Sequence, residues 1–425
     1  MKRFLVMFMV LGLIFSMFMV NVLSAEPQIT LRMGDNLPDR QHTWGAVVEQ
    51  INAAFEKNHP NVKIVYESYQ DQPWQQKVKI YAASNQLPDV FKYWSFSSYT
   101  GALAKAGLLM PLPEKEFSGM GFLPGTFDPN RYNGKLYGLP VTVDFWLIYY
   151  NKAIFEKYGV KVPATIDQLI AAAKVFRDNN VIPMVTDGKD AWPLSITWDN
   201  LVIRTTGDPT LIPRAMARKV KFTDPIFLPG TKLYKQMIDS KLFSDDLLTS
   251  DYGASRNLFG QEKAAMYLMG SWESGLSTDT SFAESFRNNL GVMKFPAGPK
   301  GTIDDLFAWG GGNYVVSAKT KYKALCLDYL KTYFAMYPKL AWDNKINIPA
   351  QKVETSPSDS QMSKDLLAIL NSAKTTSGAV HIDLSTADFN TTGNKLIQEL
   401  TAGLKTPEQY LKALDVAAEA ASKSK

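Results

Sequence analysis

The chain has 425 residues, with 46 basic and 41 acidic side chains and no basic block interleaved with aromatics. This excludes the electrostatic footprint of a nucleic-acid-binding protein. Its length exceeds what one core serves, so two domains of about 150 to 200 residues each are expected, and the single cysteine, Cys326, leaves no internal disulfide.

Lys2 and Arg3 precede an apolar run over 4–20, and Leu23-Ser24-Ala25 offers small residues for cleavage before Glu26. Residues 1–25 therefore read as a secretory signal peptide, with an uncleaved membrane anchor as the alternative. Hydrophobic periodicity then predicts a strand over 29–33, a helix over 43–57, a strand over 62–66, a helix over 74–84 and a strand over 90–93. Strands alternating with helices imply a parallel, doubly wound sheet. Ligands of such sheets sit beyond the carboxyl ends of the strands, so the loops at 34–39, 67–69 and 93–95 should converge.

Asn133-Gly134 is a two-residue hairpin signal, because both positions tolerate positive φ. The stretch 141–150 shows no alternation of apolar and polar residues, as expected of a strand covered on both faces. Asp144 lies within it. A carboxylate there costs several kcal/mol, roughly the penalty for burying an unpaired ion, unless something hydrogen-bonds to it. The partner is either a polyhydroxylated ligand or backbone N–H groups of the protein itself. Asn151 caps a short helix that stops at Gly159. Thr165 and Gln168 form a capping box for a helix ending near Asn179, and a strand over 181–185 follows. Another strand ends at 267–269 and delivers Gly270-Ser271-Trp272 toward a cleft. After a turn-rich break at 296–301, Trp309 and three glycines precede a strand over 313–317. Thr406 caps a terminal helix with Pro407 at its first position.

Nine Trp and nineteen Tyr supply flat rings able to pack on the C–H face of a pyranose while polar side chains take its hydroxyls. Trp272, after a Gly-Ser break at a strand end, and Trp94, just past the third strand, are the first candidates, with Trp309 and Ser271 beside them. A core position is the competing reading for each tryptophan, and is preferred for Trp74, Trp198 and Trp342. Asn36, Asp39 and Gln41 are loop residues suited to hydroxyls. Only three histidines occur, without helical or cysteine companions, so no metal site is expected. Phosphate, dinucleotide and serine-hydrolase motifs are missing from the sequence, and no cofactor is expected. A glycosidase built on two carboxylates, such as Asp144 with Glu273, is the leading enzymatic alternative.

The run YNGKLYGLPVTVDFWLIYYNKAIF, with G-K-x-Y-G-x-P, a polar residue in an apolar strand and then Y-N-K, resembles the solute-binding proteins of ABC-type carbohydrate importers, the family that includes the maltodextrin-binding protein. Phe259 to Met266 running into Gly270-Ser271-Trp272 is similar to the family's F-x-x-G-x-A-A-M and G-x-W segments, with one spacing shortened by a residue. Ala191-Trp192-Pro193-Leu194 resembles a segment lining the second lobe, which adds Trp192 to the candidates.

The resemblance implies an α/β, two-lobed periplasmic-binding-protein fold, each lobe a doubly wound sheet with helices, joined by a three-crossing hinge. The lobes would comprise 26–140 with 308–347, and 141–307 with 348–425, the crossings lying near 139–141, 307–310 and 347–350. It implies capture of a carbohydrate and delivery to the membrane permease subunits of an ABC transporter, with no reaction catalysed. A monomer is expected, free in the periplasm because no cysteine follows the cleavage site for a lipid anchor. A non-sugar solute, such as a polyol, polyamine or glycerol phosphate, is the alternative within the same fold.

Overall fold

The computed structural model describes residues 28–378 and 380–424; the expected signal peptide lies outside them. Thirteen strands follow one another among these residues: β1 (Ile29–Asp35), β2 (Val62–Ser68), β3 (Val90–Tyr93), β4 (Arg131–Tyr132), β5 (Lys135–Leu136), β6 (Gly138–Pro140), β7 (Val143–Asn151), β8 (Ile182–Val185), β9 (Ala264–Gly270), β10 (Leu290–Lys294), β11 (Asp305–Gly310), β12 (Asn313–Val316) and β13 (Thr375–Ser377). They form a five-stranded sheet in the order β2-β1-β3-β12-β6, and a six-stranded sheet in the order β13-β11-β7-β9-β8 with β10 also on β7. Each sheet is packed with helices, giving two lobes.

The first lobe starts as the sequence predicts. β1 pairs in parallel with β2 and β3, and the helices Thr43–Asn58 and Asp71–Ser84 connect them. The sheet then departs from a purely parallel pattern, since β12 runs antiparallel to both β3 and β6. The reason is its origin: β12 arrives from the other sheet through a short passage and not through a helical crossover. The ribbon β4–β5 turns at Asn133 and Gly134, whose φ values of 50° and 72° are those of the predicted tight hairpin.

The apolar run containing Asp144 is two pieces. Pro140 ends β6 in the first sheet and Val143 begins β7 in the second, so Val141 and Thr142 carry the chain from one lobe to the other. β7 is central in its sheet, between β9 and both β10 and β11, and residues 145–149 are fully buried. This is why the run lacks alternation. Asn151 caps the next helix by accepting from Ile154 N–H. Thr165 caps as expected, but the reciprocal half is shifted, because Gln168 Oε1 accepts from Ala164 N–H. Thr406 and Gln409 form a complete capping box at the last helix, which packs on the second lobe.

The chain changes sheet again at Gly311–Gly312, between β11 and β12, and a third time after Ile346, which belongs to the first core whereas Ile348 belongs to the second. β11 pairs with β7 as far as Gly310, so the second passage lies a few residues beyond the expected boundary at 307–308. Cys326 is fully buried in the helix Lys323–Asp343. Trp74, Trp198 and Trp342 are likewise buried, and Trp74 Nε1 donates to the carbonyl of Lys92. No helix among the described residues is long and apolar enough to cross a membrane.

Candidate functional site

A cavity of about 410 Å³ separates the lobes. Its first-lobe wall is the loop after β1, the start of helix Asp71–Ser84 and the end of β3; its second-lobe wall is the start of β7, the beginnings of helices Trp192–Thr206 and Tyr252–Gly260, and the segment after β9. The loops after β1 and β3 therefore converge as expected, whereas after β2 the wall is formed by Gln70 and Asp71 and not by the expected 67–69. The backbone of residues 310–312 runs along the passage side.

Asn36, Asp39, Trp94, Asp144, Trp192, Trp272 and Trp309 all line this cavity. Gln41 and Ser271 do not. Gln41 is exposed on the loop. Ser271 is buried, with its hydroxyl accepting from Phe145 N–H at 3.2 Å, so it completes the hydrogen bonding of β7 beyond the end of β9. Asp39 is partly consumed by its own loop, where one carboxylate oxygen accepts from the N–H groups of Gln41 and His42.

Asp144 is 8 % exposed, and its Oδ1 has no hydrogen-bond partner among the described residues. Burial pushes its pKa up to about 6, opposed by neighbouring Thr142 and by the charge of Lys92. Neither backbone N–H groups nor a side chain among the described residues satisfy Oδ1, so a buried acceptor stands unpaired in a residue that lines the cavity.

The tryptophans form one connected surface on the second lobe. Trp272 meets Trp192 and Trp309 with ring centroids 5.9 Å away in each case, and Trp192 stacks on Tyr252. Trp272 Nε1 donates to Tyr252 Oη at 3.1 Å, which locks the ring's rotation. Its ring lies over Gly270, where a Cβ would overlap it. Trp192 Nε1 is buried without a partner among the described residues. Across the cavity, Trp94 packs on Tyr93 and Tyr99.

Several lining residues escape sequence reasoning. Lys92, buried at the end of β3, donates to Asn36 Oδ1 at 2.8 Å and lies 4.5 Å from the Trp44 ring centroid. Burial lowers its pKa, with Asp35, Asp144 and Asp71 acting in the opposite sense. Asn36 passes the contact on, donating through Nδ2 to Asp71 at 3.1 Å. Burial raises Asp71 to about 7. On the second lobe, Glu273 accepts from Arg256 Nε at 2.9 Å and from the Tyr252 hydroxyl, and Arg256 also holds Asp279 at 2.8 Å. Glu273 enters the sequence reading only as the second carboxylate of the glycosidase alternative; Lys92 and Arg256 carry no signal, because nothing local shows which basic residues turn inward.

The lobes also touch at the cavity rim. Ser98 N–H donates to the Asp383 carbonyl at 3.2 Å, and Asn390 Nδ2 donates to both Tyr99 Oη and Asp383 Oδ1. On the passage side, Ser95 Oγ donates to the Gly311 carbonyl. Gly311 has no room for a side chain, since a Cβ would overlap Thr142 Oγ1 and Asp144 Oδ2.

Comparison with known proteins agrees with this architecture. A solved structure from work on xylan utilisation by the thermophilic bacterium Caldanaerobius polysaccharolyticus superposes with a TM-score of 0.84 at 28 % identity, covering 91 % of this chain and 99 % of that one. A chitin oligosaccharide binding protein shares the fold with a TM-score of 0.82 at 23 % identity, over 93 % of this chain and 99 % of that one. Among curated sequences, the multiple sugar-binding protein of Streptococcus mutans is 26 % identical over 289 residues, or 65 % of each chain. An uncharacterised ABC transporter extracellular-binding protein of Pyrococcus horikoshii is 28 % identical over 263 residues, or 58 % of this chain and 57 % of that one. The chain thus spans less than two thirds of the length of these curated relatives. The family model described as bacterial extracellular solute-binding protein matches residues 34–335, which run from the first cavity loop through both lobes into the helix behind β12; with its two sheets, its passages and its inter-lobe cavity, the chain belongs to that family.

Proposed function

We propose that the protein reversibly captures a carbohydrate between its lobes and hands it to the permease subunits of an ABC importer. The observation that carries this reading is the cavity wall itself: connected tryptophans, Trp272 held by its bond to Tyr252, beside a buried carboxylate oxygen with no partner among the described residues. Aromatic faces match the C–H face of a sugar ring, and a carboxylate accepts from its hydroxyls. Relatives named for sugars, among them the multiple sugar-binding protein and the melibiose/raffinose/stachyose-binding protein of Bacillus subtilis, support it.

Binding without catalysis is the matching chemical reading. Glu273, the second carboxylate of the glycosidase alternative, has one oxygen engaged by Tyr252 and the other by Arg256. In this proposal the lobes are 26–140 with 311–347, and the remainder of the mature chain. The three passages act as a hinge, and closure around the ligand is what the transporter reads. The protein works as a monomer outside the cytoplasm, after cleavage behind Ala25.

A thermal-shift screen with mono- and oligosaccharides tests this, with spermidine and glycerol phosphate as comparators. Saturation at a hundredfold above Kd adds about 2.7 kcal/mol of stability. A rise in Tm with a sugar is expected. A rise with spermidine or glycerol phosphate and none with any sugar would replace the carbohydrate by that solute.

A further inference from the structure

We propose that the cleft selects by charge: it takes neutral and amine-bearing sugars and turns away sugar acids and sugar phosphates. This rests on the carbohydrate reading above and adds a limit to it.

Six carboxylates line the cavity against two cations, Lys92 and Arg256. Both cations are already committed. Arg256 is shared between Glu273 and Asp279, and its guanidinium lies over the Phe282 ring. Lys92 is held by Asn36, lies against Trp44, and feels the charges of Asp35, Asp144 and Asp71. Burial raises Asp71 to about 7 and Asp383 to about 8, so both spend time protonated. Even with those two neutral, four carboxylates face two cations.

Helix N-termini, the other common source of anion affinity, carry negative charge beside them here. Three helices begin at the cavity wall, and each has a carboxylate at or just before its start, Asp71 being the one that lines the cavity itself. Asp71 is the first residue of Asp71–Ser84. Asp251 caps Tyr252–Gly260 by accepting from Ala254 N–H at 3.0 Å. Asp190 stands two residues before Trp192–Thr206 and acts on Asp71 across the cleft with like charge. An anion entering here meets a wall rich in carboxylates, Asp144 foremost: this side chain is more than nine-tenths buried, lines the cavity and leaves its Oδ1 without a partner among the described residues. A hydroxyl or an ammonium group satisfies that oxygen; a carboxylate or phosphate is repelled by it.

The test is a calorimetric panel on the purified wild type: galactose, glucose and xylose with their linear oligomers, the matching amino sugars, the matching uronates, and hexose phosphates. A uronate or hexose phosphate should bind at least about tenfold more weakly than its neutral counterpart, and Asp144→Asn and Asp71→Asn should each narrow that ratio. A ratio below tenfold in the wild type overturns the charge selection and leaves the carbohydrate reading standing. No binding by any member of the panel overturns the carbohydrate reading itself, so the two failures are distinct.

Discussion

Removing the Trp272 ring probes the proposed platform most directly. A tryptophan side chain offers about 150 to 250 Å² of contact area, and the Trp272 ring is partly buried against Trp146, Trp192 and Trp309. If about 100 Å² remains for a ligand, then at about 25 cal/mol per Å² the lost contact is roughly 2.5 kcal/mol, or about 70-fold in Kd. Trp272→Ala should therefore weaken sugar binding by that order. Trp272→Phe, which keeps a flat ring but loses the bond to Tyr252 Oη, should cost about tenfold. Calorimetry gives Kd, and unfolding of the unliganded protein gives the structural cost separately. Unchanged affinity in Trp272→Ala, with a folded protein, would refute the platform; a fall in stability alone would make the ring a core element that happens to border the cavity.

Gly311→Ala should overlap Asp144 Oδ2 and Thr142 Oγ1, destabilising the protein by about 1 to 3 kcal/mol, as overpacking does, and weakening the ligand complex; chemical denaturation and calorimetry read the two effects. Burial and the nearby charge of Asp199 raise Asp383 from 3.8 to about 8, against a hydrogen bond from Asn390. The folded state then binds this proton more tightly than the unfolded chain, so stability falls as pH rises from about 4 to 8. Asp383→Asn should remove up to about 1.4 kcal/mol of that fall per pH unit; identical slopes for wild type and variant in urea titrations would overturn the assignment. Arg204, fully buried, donates to the carbonyls of Phe295, Pro296 and Asp305. Arg204→Met strands three acceptors at about 1 to 3 kcal/mol each, and a loss below 1 kcal/mol in the same titration would show that the loop rebonds.

Much of the scaffold is legible in the sequence because its signals are local. β1 to β3 and their helices follow from periodicity, and the Asn133-Gly134 turn from its positive φ. The cavity-lining position of Asp144 is legible for the same kind of reason, since one carboxylate in an apolar run poses a burial problem that the run itself does not solve. Trp272 shows through its place after a strand-ending Gly-Ser. What stays hidden is tertiary. The split of the run at Val141–Thr142 depends on which sheet each half joins, and composition is blind to that. Ser271 looks like a free polar loop residue until β7 supplies the N–H that occupies it. Lys92 and Arg256 are ordinary basic residues in sequence, and only the fold determines that they turn inward toward Asp71, Asp144, Glu273 and Asp279.

The contact between Gly311 and Asp144 joins two properties that an engineer would wish to adjust one at a time. The backbone of one of the three passages of the proposed hinge lies directly against the carboxylate of a cavity-lining residue. In the hinge motion proposed above, opening would move Asp144 relative to Lys92 as part of the same change. On the proposed hinge and site, retuning the ease of opening at 310–312 is expected to shift ligand preference as well, and a new side chain at Asp144 is expected to alter how readily the lobes separate.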